Sequence, residues 1–350
     1  MANELYVLSA LAKAQVKASQ QFGASETRAV TPSVMGLALQ NSAISIPSAE
    51  IARVHEKRVV DITFFSKKAA GSITAKAVAP TGTKGSSSKV NLVYVTHVEP
   101  FSITAKLADN NVYSEQEIFN NEYAQAWKNL LARHNQSAID YIHANRNQMS
   151  AANMASALGV SGAGVWNETN FALEIPTASE KRRLQKAEAF MKARLFDGQY
   201  DVIADLATEA DLKYLQAQGT ANGVNTSFQF GQSLITPSQV TLNSAYDLGS
   251  MIIMPKGGFA GICWNDQMNL RNTDKGLAVG MFTTVSDPFG YGCKADLFIR
   301  SAAYDSSGDT VSGSTQDLLD TYEMSLTIAY VLNPLTANGD SVAHEVAIVA

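Results

Sequence analysis

Cysteine is almost missing from this chain: only Cys263 and Cys293 occur in 350 residues. Two thiols without Cys-x-x-Cys spacing cannot anchor a zinc site. Both lie in apolar, strand-like surroundings, so two buried free thiols are expected rather than a disulfide. Histidine is scarce as well. His55, His97, His134, His143 and His344 are scattered, and none belongs to a His-Glu-x-x-His or comparable ligand pair. No apolar run approaches the roughly 18 residues of a membrane span. The first 21 residues have the look of a targeting segment, but Glu4, Lys13 and Lys17 interrupt any apolar core, so no signal peptide is expected.

Catalytic motifs are missing too. The tract Gly82-Thr83-Lys84-Gly85-Ser86-Ser87-Ser88-Lys89 lacks the residue order of a phosphate-binding loop, and Gly159 to Gly164 reverses the dinucleotide pattern. Both read as hinges. No Gly-x-Ser-x-Gly elbow offers a serine nucleophile. The pairs Asp205/Glu209 and Glu209/Asp211 read as helix N-terminal charges rather than catalytic dyads. No enzyme activity, cofactor or metal is therefore expected. No repeat of 20 to 50 residues is visible, which sets solenoids and propellers aside.

What is present is ample core-forming material, with 46% hydrophobic and 17% charged residues, enough for one large or two ordinary domains. Charge is unevenly spread. Between Ile51 and Val90, eight basic residues stand against Glu56 and Asp61, a local +6, so the rest carries −11 of the net −5. A basic arm on an acidic body suggests that the arm meets another copy of the same body. An ordinary solvated hairpin whose lysines blunt its edges is the plainer alternative. Nucleic-acid contact is weaker still, because no aromatic residues interleave with the lysines.

The strongest pattern runs from Ser114 to Asn147. Ser114-Glu115-Gln116-Glu117 is a capping box. Behind it Phe119, Tyr123, Trp127, Leu130, Leu131, His134, Ala138, Tyr141 and Ile142 recur at three- and four-residue steps, one stripe along a helix of about 33 residues. Globular helices average about a third of that length. Asn120, Asn121, Gln125, Lys128 and Asn135 exclude a membrane span, and the stripe lacks a sustained coiled-coil heptad. Before the helix, 59–65, 72–78, 90–98 and 101–107 read as strands of an extended, hairpin-like arm. After it come a Gly/Ala joint at 159–164, a helix over 179–196 with Gly198 as its C′ residue, a strand over 200–204 and a helix over 209–218 capped by Thr208. Strands follow at 251–254, 259–264, 277–285 and 295–299. A last strand over 322–330 alternates Tyr322, Met324, Leu326, Ile328 and Tyr330 with Glu323, Ser325, Thr327 and Ala329.

That order of parts resembles the major capsid proteins of tailed phages, the Hong Kong 97-type fold. The resemblance covers nearly the whole chain, by architecture rather than by a fixed motif. It implies an α+β fold with residues 1–50 as an N-terminal arm and 51–110 as a β-hairpin extension loop. Residues 111–174 and 293–350 would form a peripheral domain with its spine helix over 114–147, and 175–292 an axial domain. Ala189 to Ile203 looks like the family's axial helix and strand, Asp211 to Leu215 like the helix after them, and Asp317 to Tyr330 like the closing return to the peripheral domain. The resemblance implies a structural protein that self-assembles into hexamers and pentamers of an icosahedral head around double-stranded DNA. Lys67, Lys68, Lys76, Lys84 and Lys89 would be inter-subunit contacts of the extension loop, and Phe119, Tyr123, Trp127, Leu130 and Ile142 the core of the spine helix. Implied partners are further copies of the chain, separate scaffolding, portal and head-completion proteins, and DNA held on the inner surface without sequence specificity. Localisation would be the virion, assembled in the host cytoplasm. An encapsulin-like compartment shell is the alternative, and an enzyme with a strand-rich substrate domain a more distant one.

Overall fold

The apolar stripe forms one continuous helix, Glu115–Ala144, 30 residues or about 45 Å long. This computed structural model describes residues 10–14, 16–17, 34–40, 61–65, 87–104, 115–177, 183–196, 198–211, 233–235, 242–265, 281–288, 291–305, 316–333 and 340–350. In chain order its strands are β1 (Asp61–Phe65), β2 (Ser87–Asn91), β3 (Val93–Thr104), β4 (Val165–Asn167), β5 (Ala172–Pro176), β6 (Tyr200–Ala204), β7 (Ser233–Ile235), β8 (Ser250–Pro255), β9 (Phe259–Trp264), β10 (Met281–Ser286), β11 (Lys294–Asp305), β12 (Gln316–Leu332) and β13 (His344–Val349). Mixed helices and several sheets make this an α+β protein.

The long helix lies on an antiparallel sheet ordered β10-β11-β12-β3. Its axis is β12, 17 residues long. One edge of β12 pairs with β3 from Leu319 to Tyr330. The other pairs with β11 as far as Ser325 and then with β9 from Thr327 to Leu332, so β11 and β9 follow one another along the same edge. Alternation is visible from Tyr322 to Ser325, but from Leu326 to Leu332 every residue is buried. The reason is that both faces are covered there. Leu326, Ile328 and Tyr330 belong to the core under the long helix, whereas Ala329 and Val331 pack with Ile62 and Leu92 from the antiparallel β1–β2 hairpin region.

A second sheet, β4-β5-β13-β8-β6-β7, is antiparallel except for the β13/β5 and β6/β7 pairs. Met251 and Ile253 face the helices Ala151–Ser161 and Arg183–Ala193, through Met154, Phe190 and Met191. Ile252 and Met254, on the opposite face, join the core of the long helix. One core therefore runs from the first sheet through the helix into the second.

Several expectations need correction. The pieces 90–98 and 101–107 are not two arm strands: β3 runs unbroken through Pro100, and its pairing with β12 puts it in the body sheet. Proline is tolerated because β3 is that sheet's edge. Both sheets draw strands from each side of the expected boundary at 292–293. β9 and β10, assigned to the axial segment 175–292, pair within the first sheet, while β13, assigned to the peripheral segment, sits inside the second. Gly159 and Val160 belong to the helix Ala151–Ser161 rather than to a hinge. That helix stops at Gly162, whose N–H still bonds the Leu158 carbonyl at 2.8 Å while its φ of 57° turns the following chain away. The helix Arg183–Ala193 ends at Leu195, not Gly198. Leu195 takes the left-handed conformation with φ 63°, while Phe196 N–H bonds the Met191 carbonyl and Leu195 N–H the Lys192 carbonyl, the Schellman pattern. The helix expected from Glu209 begins at 206, and its N-cap is Asp205, whose Oδ1 accepts the Thr208 N–H at 2.8 Å. The expected strand 72–78, the cap Ser114 and residues 212–218 lie outside the described residues.

Candidate functional site: the seams of the long helix and the root of the arm

Phe119, Tyr123, Trp127, Leu130 and Ile142, the expected core of the helix, are buried, four of them completely. Aromatic rings line this contact and the sheet beneath it. Phe119 sits edge-on to Tyr322 with centroids 5.1 Å apart, Phe101 stacks on Tyr322 at 4.9 Å, and Phe259 stacks on Tyr330 at 5.8 Å. Midway along, His134 is wholly buried and donates from Nε2 to the Leu326 carbonyl at 2.8 Å, while the Tyr330 hydroxyl donates to the His134 carbonyl at 3.0 Å. Burial lowers the His134 pKa to about 3, so the imidazole is neutral there. A polar residue in an apolar stripe thus fixes how far the helix is slid along β12.

The same helix gathers the N-terminal pieces. Asn135 Oδ1 accepts the N–H groups of Val34 and Met35 at 2.7 and 3.3 Å, capping the helix Val34–Gln40 from 100 residues away. That short helix rests on β9, where a Cβ on Gly261 would come within 3.2 Å of the Ala38 Cβ. Gln116 donates to the Ala10 carbonyl at 3.3 Å.

At its far end the helix is locked to β13. It stops at Ala144, three residues before Asn147, because Asn147 turns the chain. The Asn147 N–H bonds the Ala343 carbonyl at 2.8 Å, and its Oδ1 accepts the Met149 N–H at 2.9 Å. Its Nδ2 donates to Asp340 and to His344 Nε2, each at 3.0 Å. Asp340 is also ion-paired to Arg194 at 2.5 Å. His344, fully buried between Phe190 and Phe196, is held neutral: burial first, then the nearby Arg194 charge, lower its pKa to about 3. Beside it the buried Glu345 carboxylate faces Arg146 Nε at 2.8 Å and His143 Nε2 at 3.5 Å, and accepts from Asn243 at 2.8 Å. Arg146 also donates to the Asn170 carbonyl at 2.7 Å. The charges of Arg146 and Glu345 meet off the hydrogen-bond line, so their contact is an ion pair rather than an aligned bond. Sequence reasoning missed this cluster, whose members lie as far apart in sequence as His143 and Glu345. Its available signal was a His-Glu pair opening the apolar run His344–Val349.

Of the expected arm contacts, Lys89 is exposed on β2 opposite Thr63. Lys67, Lys68, Lys76 and Lys84 lie outside the described residues. The hairpin is rooted by Ile62 and Leu92, both buried against the outer face of the first sheet. Among the described residues no group of three or more His, Cys, Asp or Glu side chains could hold a metal ion, and no helix is long and apolar enough to cross a membrane.

No family model matches the chain, and no curated protein matches it. Among solved structures it is similar to one from Mycobacterium phage Che8, at 10% identity over 87% of this chain and 89% of that chain, with a TM-score of 0.48. It is similar also to one from Mycobacterium phage Adephagia, at 12% identity over 83% and 85% of the two chains, with a TM-score of 0.43. A third likeness is to the capsid structure of the cyanophage P-SCSP1u, at 9% identity over 83% of each chain, again with a TM-score of 0.43.

Proposed function

We propose that this chain is a major capsid subunit of a tailed phage with a Hong Kong 97-type fold, self-assembling into hexamers and pentamers of a head that encloses double-stranded DNA. The observation that supports the reading is the plate formed by the 30-residue helix on β12, with the β1–β2 hairpin of the basic segment 51–90 rooted on its opposite face. Residues 1–50 act as the N-terminal arm, and 51 to about 92 as the extension loop. The long helix with the first sheet is the peripheral domain, its spine, and the second sheet with its helices is the axial domain. The loop carrying Lys67, Lys68, Lys76, Lys84 and Lys89 reaches the acidic body of a neighbour. Each such contact is modest, and closure of the shell multiplies it. Separate scaffolding, portal and head-completion proteins assist, and the finished particle is the virion, assembled in the host cytoplasm.

The test is particle formation. The purified chain, produced with its scaffolding partner, should sediment as shells visible by electron microscopy, and assembly should weaken as added salt shortens the Debye length below about 8 Å. Reversing Lys67 and Lys68 to Glu should block capsomer association before any DNA enters. A protein that stays at 37.5 kDa under all native conditions would overturn the capsid reading. Normal empty shells that fail to package would show instead that the lysines serve DNA.

A further inference from the structure

Cys263 and Cys293 were expected as two unrelated buried thiols, but the fold brings them together. Cys263 lies near the end of β9, paired with Ile328, and Cys293 immediately precedes β11. These two strands follow one another along the same edge of β12, so the cysteines flank the seam between them. Cys263 Sγ is 3.4 Å from both the N–H and the carbonyl oxygen of Lys294, the residue bonded to Cys293. Cys293 is held from behind: Asp287 Oδ2 accepts its N–H at 2.8 Å, and its carbonyl accepts the Asp287 N–H at 3.0 Å. Access is unequal, because Cys263 is partly exposed and Cys293 is buried.

We propose that Cys263 and Cys293 form a reversible disulfide that fastens β9 to β11 across their seam on β12, with Cys263 as the attacking thiol and Cys293 as the resolving one.

The chemistry matches that division of roles. The neighbouring Cys293 lowers the Cys263 pKa, whereas Cys263 first, and burial second, raise that of Cys293. The required oxidant is a small-molecule disulfide. The Cys263 thiolate attacks one sulfur, giving a mixed disulfide and one departing thiolate. Cys293 then attacks Cys263 Sγ, and the proton it loses goes to the second departing thiolate. Two protein thiols are oxidised by two electrons and one external disulfide is reduced to two thiols. The bond persists in an oxidising medium and opens in a reducing one.

The experiment treats the native full-length protein with oxidised glutathione, denatures it in acid and counts free thiols. Thiols should fall from two per chain to none, and peptide mass mapping should find Cys263 joined to Cys293 within one chain. In Cys293→Ser the glutathione adduct should accumulate on Cys263. In Cys263→Ser the remaining thiol should react about tenfold more slowly or less. A stable glutathione adduct on wild-type Cys263, a linkage between chains, or two unreacted thiols in the native protein would each overturn the proposal.

Discussion

Two fully buried neutral histidines should make this protein acid-sensitive well above the range where carboxylates titrate. His134 and His344 have folded-state pKa values lowered to about 3, against about 6.5 in an unfolded chain. Between those values the unfolded state binds more protons than the folded state, so stability rises with pH. Their contribution is fully present above about pH 6.5 and is lost as pH falls toward about 3. One such group loses about 1.4 kcal/mol per pH unit inside the window. Lowering the pH from 7 to 5 should then cost about 2 kcal/mol for each histidine, or roughly 4 kcal/mol for both. His97, lowered by burial and by Arg133, adds in the same direction. Urea unfolding of the unassembled subunit at pH 7, 6 and 5, followed by circular dichroism, reads the slope. His344→Asn should remove about half of it, even where the substitution lowers stability at pH 7. Stability that stays flat from pH 7 to 5 would refute the reasoning, because it would mean that water or a relaxed carboxylate already stabilises these imidazolium ions in the folded state.

Four further variants test other parts of the fold. Glu345→Gln should lower stability by about 3 kcal/mol by leaving Arg146 without its buried partner, and the double change Arg146→Met with Glu345→Leu should recover most of that loss in the urea midpoint. Gly162→Ala should cost about 1 kcal/mol for the left-handed backbone alone. Gly164→Ala should cost distinctly more, since its Cβ would lie 2.2 Å from the Glu174 carbonyl oxygen; equal effects on thermal unfolding would contradict the contact.

The long helix and β12 were legible in the sequence because each buries a face of constant period: three and four residues from Phe119 to Ile142, two from Tyr322 to Leu326. Legibility failed where burial or geometry departed from one face. The helix Ala151–Ser161 buries only Met154 and Ala157, too few for a stripe, so it went unseen and its end at 159–161 looked like part of a joint. β13 is buried along nearly its whole length and shows no alternation. Pro100 appeared to divide β3, since nothing local announces that the strand is an edge. The Arg146–Glu345 and Asn147–His344 contacts join residues near 146 to residues near 344, and no local pattern encodes a pairing across that distance. The basic charge of the arm was plain in composition, but its rooting on Ile62 and Leu92 depends on the outer face of a sheet formed largely by later segments.

The position of β13 has a consequence for how the chain matures during synthesis. It follows every other described strand in sequence, yet it fills the middle of the second sheet, between β5 and β8. Until it emerges from the ribosome, β4–β5 and β8–β6–β7 are two unjoined halves with open edges. The last turn of the long helix also lacks Glu345 and His344 to hold it. Folding of this half is therefore a closing step rather than a progressive one, dominated by contacts of very long sequence separation, and such steps are slow. During that interval the edges of β5 and β8 are free to pair with other nascent copies, which makes aggregation on the way to the native subunit the main hazard of high-level production.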